Sequence, residues 1–445
     1  MAALLEAARR RNPLPAGTAA VGVGLVVAGV SAYGFLFFAD RALSKHDYSP
    51  LGVLWSIVFL VGPGLFLPLE QEISRAMAER RARGRGGLPV VRRAATIGAG
   101  LFLGVLVVMI LAAGWMTEHL FEGQYLLLVG LGLGLAGAVA GHVTRGCLSG
   151  TGRFNGYAAY IGADGFLRVL GGAVMLALGV TTAGPFGVAV GIAGLLAVPV
   201  ALSVQRPQLD EGPDASFSEV GSALGLLLIA SLSAFALMNV GPVIVQVLAS
   251  DAQSEAAGRF VNGVVIARIP LFLFQAVQAS LLPKLSMLAH SGRLADFRNG
   301  LRRLLVVVAG LAGAGALVGA TLGPLVVEVM FPTADLGART MGLLAAGAGL
   351  YMLAMACAQG VIALGGHAEQ AVGWASGVVV LVASVLAGAS LDLFLRVELG
   401  LFAGSAAALV VMALALARRL RIARSSSVVP VVPVGAAAHG VAVEP

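Results

Sequence analysis

FVNGVVIARIPLFLFQAVQASLLPKL, residues 260–285, is apolar enough to cross a lipid bilayer, yet Arg268 sits near its middle, with Gln275 and Gln278 farther along. A guanidinium at the bilayer centre costs at least about 2.5–3.5 kcal/mol on insertion scales, so it faces a wet cavity or a partner and not lipid. The stretch therefore reads as a membrane span with one privileged face. On a helix advancing about 100° per residue, Gln275 lies about 20° and Gln278 about 80° from Arg268, so the polar side chains share that face. Pro270 removes a backbone donor and loosens the helix at the same level.

The rest of the chain has the same character. Hydrophobic residues make up 58% of its 445 residues and charged residues 11%, with a mean hydropathy of +0.94, which excludes a soluble globule. A crossing takes about 20 helical residues. Apolar runs of that kind fall at 16–38, 51–69, 94–116, 125–143, 157–179, 185–204, 219–249, 259–282, 303–327, 338–364, 370–391 and 397–417. The fold class is thus an all-α integral membrane protein of about twelve transmembrane helices. The run 219–249 is long for one crossing and contains Gly241-Pro242, so it is read as a single kinked or strongly tilted helix and not as two. The basic start followed by an apolar run lacks a small-residue cleavage pattern and fits a first membrane helix better than a signal peptide. Cys147 and Cys357 are far apart, inside or beside apolar runs, and suggest neither a disulfide framework nor a metal site.

Distributing Lys and Arg over alternate sides places 22 of the 29 on one side, with Arg168 and Arg268 inside the membrane. The positive-inside rule then puts both termini in the cytoplasm, in a multi-pass protein of the plasma membrane. The net charge of +7 lies in loops beside helices, where anionic lipid explains it, and nucleic acid is not an expected partner. The Pro- and small-residue-rich end is expected to be disordered.

The stretch from Tyr48 and the stretch from Arg259 carry the same order of parts. Ser74 aligns with Ser286, and Arg92-Arg93 with Arg302-Arg303. Two six-helix lobes follow, 16–204 and 219–417, joined by a cytoplasmic linker at 205–218 and flanked by cytoplasmic segments 1–15 and 418–445. Six is even, so the repeat is parallel, an arrangement that places substrate in a central cavity between the halves.

ADRALSKHDYSPLGVLWSIVFLVGPGLFLPLEQEISRAMAERR, with the later EAAGRFVNGVVIARIPLFLFQAVQASLLPKLSMLAHSGRLADF, resembles polysaccharide exporters of the multidrug/oligosaccharidyl-lipid/polysaccharide flippase superfamily. The likeness covers most of residues 16–420. It implies two lobes around a cavity that opens alternately to each side, a polyprenyl-linked sugar as substrate, and glycosyltransferases or a polymerase of the same pathway as partners. The multidrug branch often carries an acidic cation site in its first helix; here that helix offers only Asp40, at its outer end.

An arginine fork suits phosphate oxygens. Arg268 is the candidate for the phosphate of a lipid-linked sugar, with Gln275 and Gln278 for its hydroxyls; the competing reading is a packing partner for a carboxylate or carbonyl. Asn239 and Gln246 lie seven apart on one face and are further candidates for the cavity wall, or for bonds to a neighbouring helix. Asp164 and Arg168, spaced i, i+4, can neutralise one another. Glu70, Glu72 and Arg75 fit a solvated helix end or a gate contact, and Asp40, Arg41, Lys45 and Asp47 an outer gate. Gly132, Gly134 and Gly137 spell GxGxxG without a preceding strand, which is helix packing and not a nucleotide site. No cofactor, metal or catalytic residue is indicated. The outer loops are too short to shape an enzyme, so the competing functions are a lipid II flippase, a multidrug/cation antiporter or a non-transporting scaffold.

Overall fold

The structure is a computed structural model. It describes residues 18–426 except 222, 223, 272, 273, 275–284, 286, 289, 290, 292 and 333. The first half of the chain contains α1 (Thr18–Ala42), α2 (Lys45–Ala82), α3 (Leu88–Leu111), α4 (Ala113–His119), α5 (Tyr125–Gly150), α6 (Phe154–Ala177) and α7 (Ala183–Val204). After the short α8 (Phe217–Gly221) come α9 (Leu224–Asn239), α10 (Gly241–Leu248), α11 (Ala256–Ala267), α12 (Leu294–Thr321), α13 (Gly323–Met330), α14 (Ala338–Ala363), α15 (His367–Ala387) and α16 (Leu393–Ser426).

Among the described residues, eleven helices are long and apolar enough to cross a membrane. The span expected at 259–282 is represented by α11 and then passes outside the described residues. Gly258 contacts Ser49 beside the α1–α2 turn, and Met330 reaches Arg41 at that same end of the bundle. Between them lies the 28-residue α12, which rises about 42 Å, so the chain changes ends between Ala267 and Leu294. The end holding the α1–α2 turn is called distal below, and the end where α1 begins proximal.

Gly241-Pro242 separates α9 from α10 at Val240, so the run expected as one helix is two, parted where the proline removes a backbone donor. α16 runs on to Ser426, past the expected end of its span at 417. Residues 427–445, most of the tail expected to be disordered, lie outside the described residues.

The packing of the two halves follows one plan. α1 packs on α6, α5 on α2 and α7, α3 on α5, and α6 on α7. In the second half α9 packs on α15, α14 on α11 and α16, α12 on α14, and α15 on α16. The counterparts α5 and α14 are both 26 residues long, and α3 and α12 are each followed by a one-residue break and a short helix. Small residues bring α5 and α7 together. A Cβ at Gly130 would sit 2.6 Å from the Gly187 carbonyl, and one at Gly137 would be 3.3 Å from Gly194 Cα. The GxGxxG spelling is therefore a close helix crossing.

α2 is the element between the halves, packing on α5 from its own half and on α9, α10 and α11 from the other. Its 38 residues contain Pro50, Pro63 and Pro68, each of which removes one intrahelical donor. The segment leading to α8 is strapped to the first half. Arg80, 4% exposed, pairs with Glu219 and donates to the Pro213, Asp214 and Gly86 carbonyls, while Arg93 donates to the Ala215 carbonyl.

Candidate functional site

Pro63 has no N–H for the carbonyl of Phe59, four residues earlier on α2. Asn239, the last residue of α9, fills that vacancy: its Nδ2 donates to Phe59 O at 3.2 Å and to Phe235 O at 3.1 Å. Its Oδ1 in turn accepts from an Arg268 guanidinium nitrogen at 3.2 Å. One turn of α2 thereby holds a side chain of the second half, and that side chain orients the intramembrane arginine. Ser231 repeats the device on a smaller scale, donating to the Pro63 carbonyl at 3.2 Å.

Arg268 itself closes α11, two residues before Pro270. It opens into a cavity of about 30 Å³, room for one or two waters, between α9, α11, α14 and α16. Tyr351 and Ser405 share this wall with Leu237, Val264, Leu344 and Leu401. Among the described residues Arg268 has no carboxylate partner, so the packing ion pair considered as its alternative role is not found there. Tyr33 of α1 donates to the Val265 carbonyl, one turn before Arg268, and Tyr351 to the Ala234 carbonyl.

The other intramembrane arginine approaches the same turn of α2 from the first half. Arg168 pairs with Asp164 at 2.8 Å, as the i, i+4 spacing predicted, and its guanidinium lies 4.9 Å from the centre of the Phe59 ring. Two cations from two halves thus meet at Phe59, one on its ring and one through Asn239 on its carbonyl.

The remaining expected residues separate. Gln275 and Gln278 lie outside the described residues. Gln246 does not join Asn239 beside Arg268. It sits at the distal end, donating to Glu122 at 3.2 Å and accepting from Ser49 at 3.3 Å. Asp40 is buried near Asn262 at 3.5 Å, and Asn262 accepts from Tyr48 at 2.5 Å. Arg41 lies over the Phe37 ring and donates to the Met330 carbonyl. Together these bonds close the distal end, joining α1, α2 and the Glu122 turn to α10, α11 and α13.

Glu70 corrects the expectation of a solvated helix end. It is 5% exposed and enclosed within the first half. One carboxylate oxygen meets Arg145 at 2.6 Å and His142 at 2.8 Å, and the other accepts from Tyr157 at 2.8 Å. Glu72 is buried against Arg75, which also donates to the Glu219 carbonyl in the strap before α9. Arg145, His142 and Tyr157 were invisible as partners in the sequence; their only signal was the placement of HVTR and the tyrosines near helix ends. The cluster borders a proximal cleft of about 520 Å³ lined by Glu70, Gln71, Ser74, Arg75, Ser149 and Tyr157, among others.

Outside the spans, Glu122 lies in a left-handed conformation at φ 49°. Burial pushes its carboxyl above the ordinary glutamate value, against the opposing pull of Gln246 and His46 and with the help of Asp47.

Two transmembrane halves packed alike, with a break in each after its third span, can now be set beside known structures. The inward-facing conformation of a multidrug resistance MATE family transporter of the MOP superfamily superposes with a TM-score of 0.72, covering 90% of this chain and 96% of that one at 14% identity. The fold is that of the MATE transporters. An outward-facing conformation of a multidrug resistance MATE family transporter scores 0.66 at 13% identity, over 92% of this chain and 96% of that one. The superfamily expected from the sequence is the one whose fold is found. By sequence, no family model matches. An uncharacterized protein of Mycobacterium tuberculosis, Rv3630, is 28% identical over 372 residues, 80% of this chain and 82% of its own length. A second from the same organism, Rv1510, is 25% identical over 423 residues, 92% and 93% of the two chains.

Proposed function

We propose that the chain is an alternating-access flippase that carries a polyprenyl-linked oligosaccharide or similar glycolipid precursor from the cytoplasmic to the outer leaflet of the plasma membrane, for cell-envelope polysaccharide synthesis. Both termini lie in the cytoplasm in this reading, so the proximal cleft is the cytoplasmic entrance, and glycosyltransferases or a polymerase supply and consume the substrate. The observation that carries it is Arg268. It is a guanidinium at a small cavity within the second half, held by a neutral amide that also bonds α2 of the first half, so its charge remains available to a phosphate. Arg168, across Phe59, adds a second cation whose charge Asp164 offsets. The small cavity volume belongs to a state closed around Arg268, and the substrate enters as the proximal cleft deepens toward it.

A second reading, a multidrug/cation antiporter, draws on the multidrug transporters of the same fold. A cavity arginine repels cationic drugs and attracts phosphate, which favours the glycolipid. The test uses proteoliposomes holding a fluorescent polyprenyl-diphosphate sugar, with chemical quenching of the exposed leaflet. Wild type moves the lipid. Arg268→Ala inserts normally but does not, and Arg268→Lys recovers part of the rate, because a point charge replaces a bidentate fork. Normal flipping by Arg268→Ala overturns the site; no flipping by wild type, with export of a cationic dye, favours the antiporter.

A further inference from the structure

Glu398 stands apart from the other buried carboxylates. It lies in the second turn of α16, 1% exposed; among the described residues no cationic side chain pairs with its carboxylate, and the polar side chain at bonding range is the Thr340 hydroxyl. Glu70 is held by Arg145, Glu72 by Arg75 and Asp164 by Arg168. Beside Glu398, α14 brings Thr340 and Arg339, and the turn before α16 brings Asp392. Arg339 and Asp392 face each other at 3.3 Å, both more than half exposed. On α16 itself Arg396 donates to the Val385 carbonyl, and from α11 the Arg259 guanidinium lies near the Phe394 ring. α9, α10 and the distal turns of α12 and α15 carry no titratable side chain.

An ionised carboxylate left unpaired in such a setting costs several kcal/mol, and the group relieves that cost by binding a cation or a proton. A metal ion asks for several oxygen ligands, whereas the neighbours present one hydroxyl, a repelling guanidinium and Asp392, whose carboxylate that guanidinium engages. A proton needs only the carboxylate. Glu398 also shares a face of α16 with Leu401 and Ser405, at i, i+3 and i+7, and those two residues line the Arg268 cavity. The acid therefore stands about 10 Å along the helix, on the distal side of Ser405.

We propose that Glu398 is a proton-carrying group of the translocation cycle, protonated in the distal-closed state and ionised when the distal end opens to water. The proton comes from distal solvent onto a carboxylate oxygen and returns to solvent on ionisation. Neutral Glu398 can be buried as α16 packs; the anion cannot, so the proton decides whether the distal end shuts. The inference rests on the alternating-access reading but is tested by readouts that need no transported substrate.

The full chain in lipid nanodiscs is titrated and followed by infrared difference spectroscopy, in wild type and in Glu398→Gln. The expected result is a protonated-carboxyl band that disappears with rising pH in wild type and is absent from the variant. Spin labels on Lys45→Cys, at the start of α2, and Asp251→Cys, in the turn after α10, both at the distal end, should separate as pH rises in wild type and stay close in Glu398→Gln. No band lost with the substitution, a distance insensitive to pH, or a distance moved by sodium at fixed pH would each overturn the proposal. A titrating band and distance in a protein that flips no lipid would support the proton site and reject the glycolipid substrate.

Discussion

Arg145→Met removes the guanidinium from the buried cluster while keeping most of the side-chain volume. Glu70 would keep His142 at 2.8 Å and Tyr157 at 2.8 Å but lose the cation at 2.6 Å. Removing one partner of a buried ion pair costs about 3–5 kcal/mol, since the other charge stays behind uncompensated. Glu70 borders the proximal cleft, where water can approach, which places the expected loss near the lower figure. At about 1.4 kcal/mol per factor of ten, that is a hundredfold or more in the unfolding equilibrium. Adding Glu70→Gln removes the stranded charge and leaves an amide able to bond Tyr157 and His142, so the double variant should recover at least half of the loss. The assay is reversible denaturant unfolding of the purified protein in detergent micelles, run as a full double-mutant cycle. Losses that add to within about 0.5 kcal/mol, with no recovery in the double variant, would refute the pairing as an energetic unit.

Other outcomes follow from the distal closure and from helix packing. Gly258→Ala sets a methyl 2.9 Å from the Tyr48 ring and 3.1 Å from Ser49 Cα, so it should loosen the distal closure and lower the melting temperature. An unchanged melting temperature would show that the closure yields without cost. Glu122→Gln should flatten part of the pH dependence of the melting temperature. A carboxyl raised in the folded state binds more protons folded than unfolded, so stability falls as pH rises from the ordinary glutamate value through the raised one, and the glutamine variant lacks that fall. Gly130→Ala places a methyl against the Gly187 carbonyl and should destabilise by about 1–3 kcal/mol through separation of α5 from α7, read as a lower melting temperature; an unchanged one would show that the crossing has slack.

The sequence by itself determined the class of protein, the approximate places of its spans, the irregularity at Gly241-Pro242, the Asp164–Arg168 pair and Arg268 as the anomalous charge. Each is a local property: hydropathy over about twenty residues, a missing backbone donor, an i, i+4 spacing, or the cost of a cation in lipid. Only the tertiary structure decided that Asn239 caps the Phe59 carbonyl, that Gln246 belongs to the distal closure, that Glu70 is enclosed by Arg145, His142 and Tyr157, and that Glu398 is buried with no cationic partner among the described residues. In a soluble helix the contrast between a wet and a dry face announces which side packs. Here lipid is as apolar as the protein interior, so both faces are built from the same residues and periodicity carries little of that information. Which carbonyl a proline leaves free is legible in the sequence, but which distant side chain arrives to bond it depends on how α2 and α9 are rotated against each other, and packing alone sets that rotation.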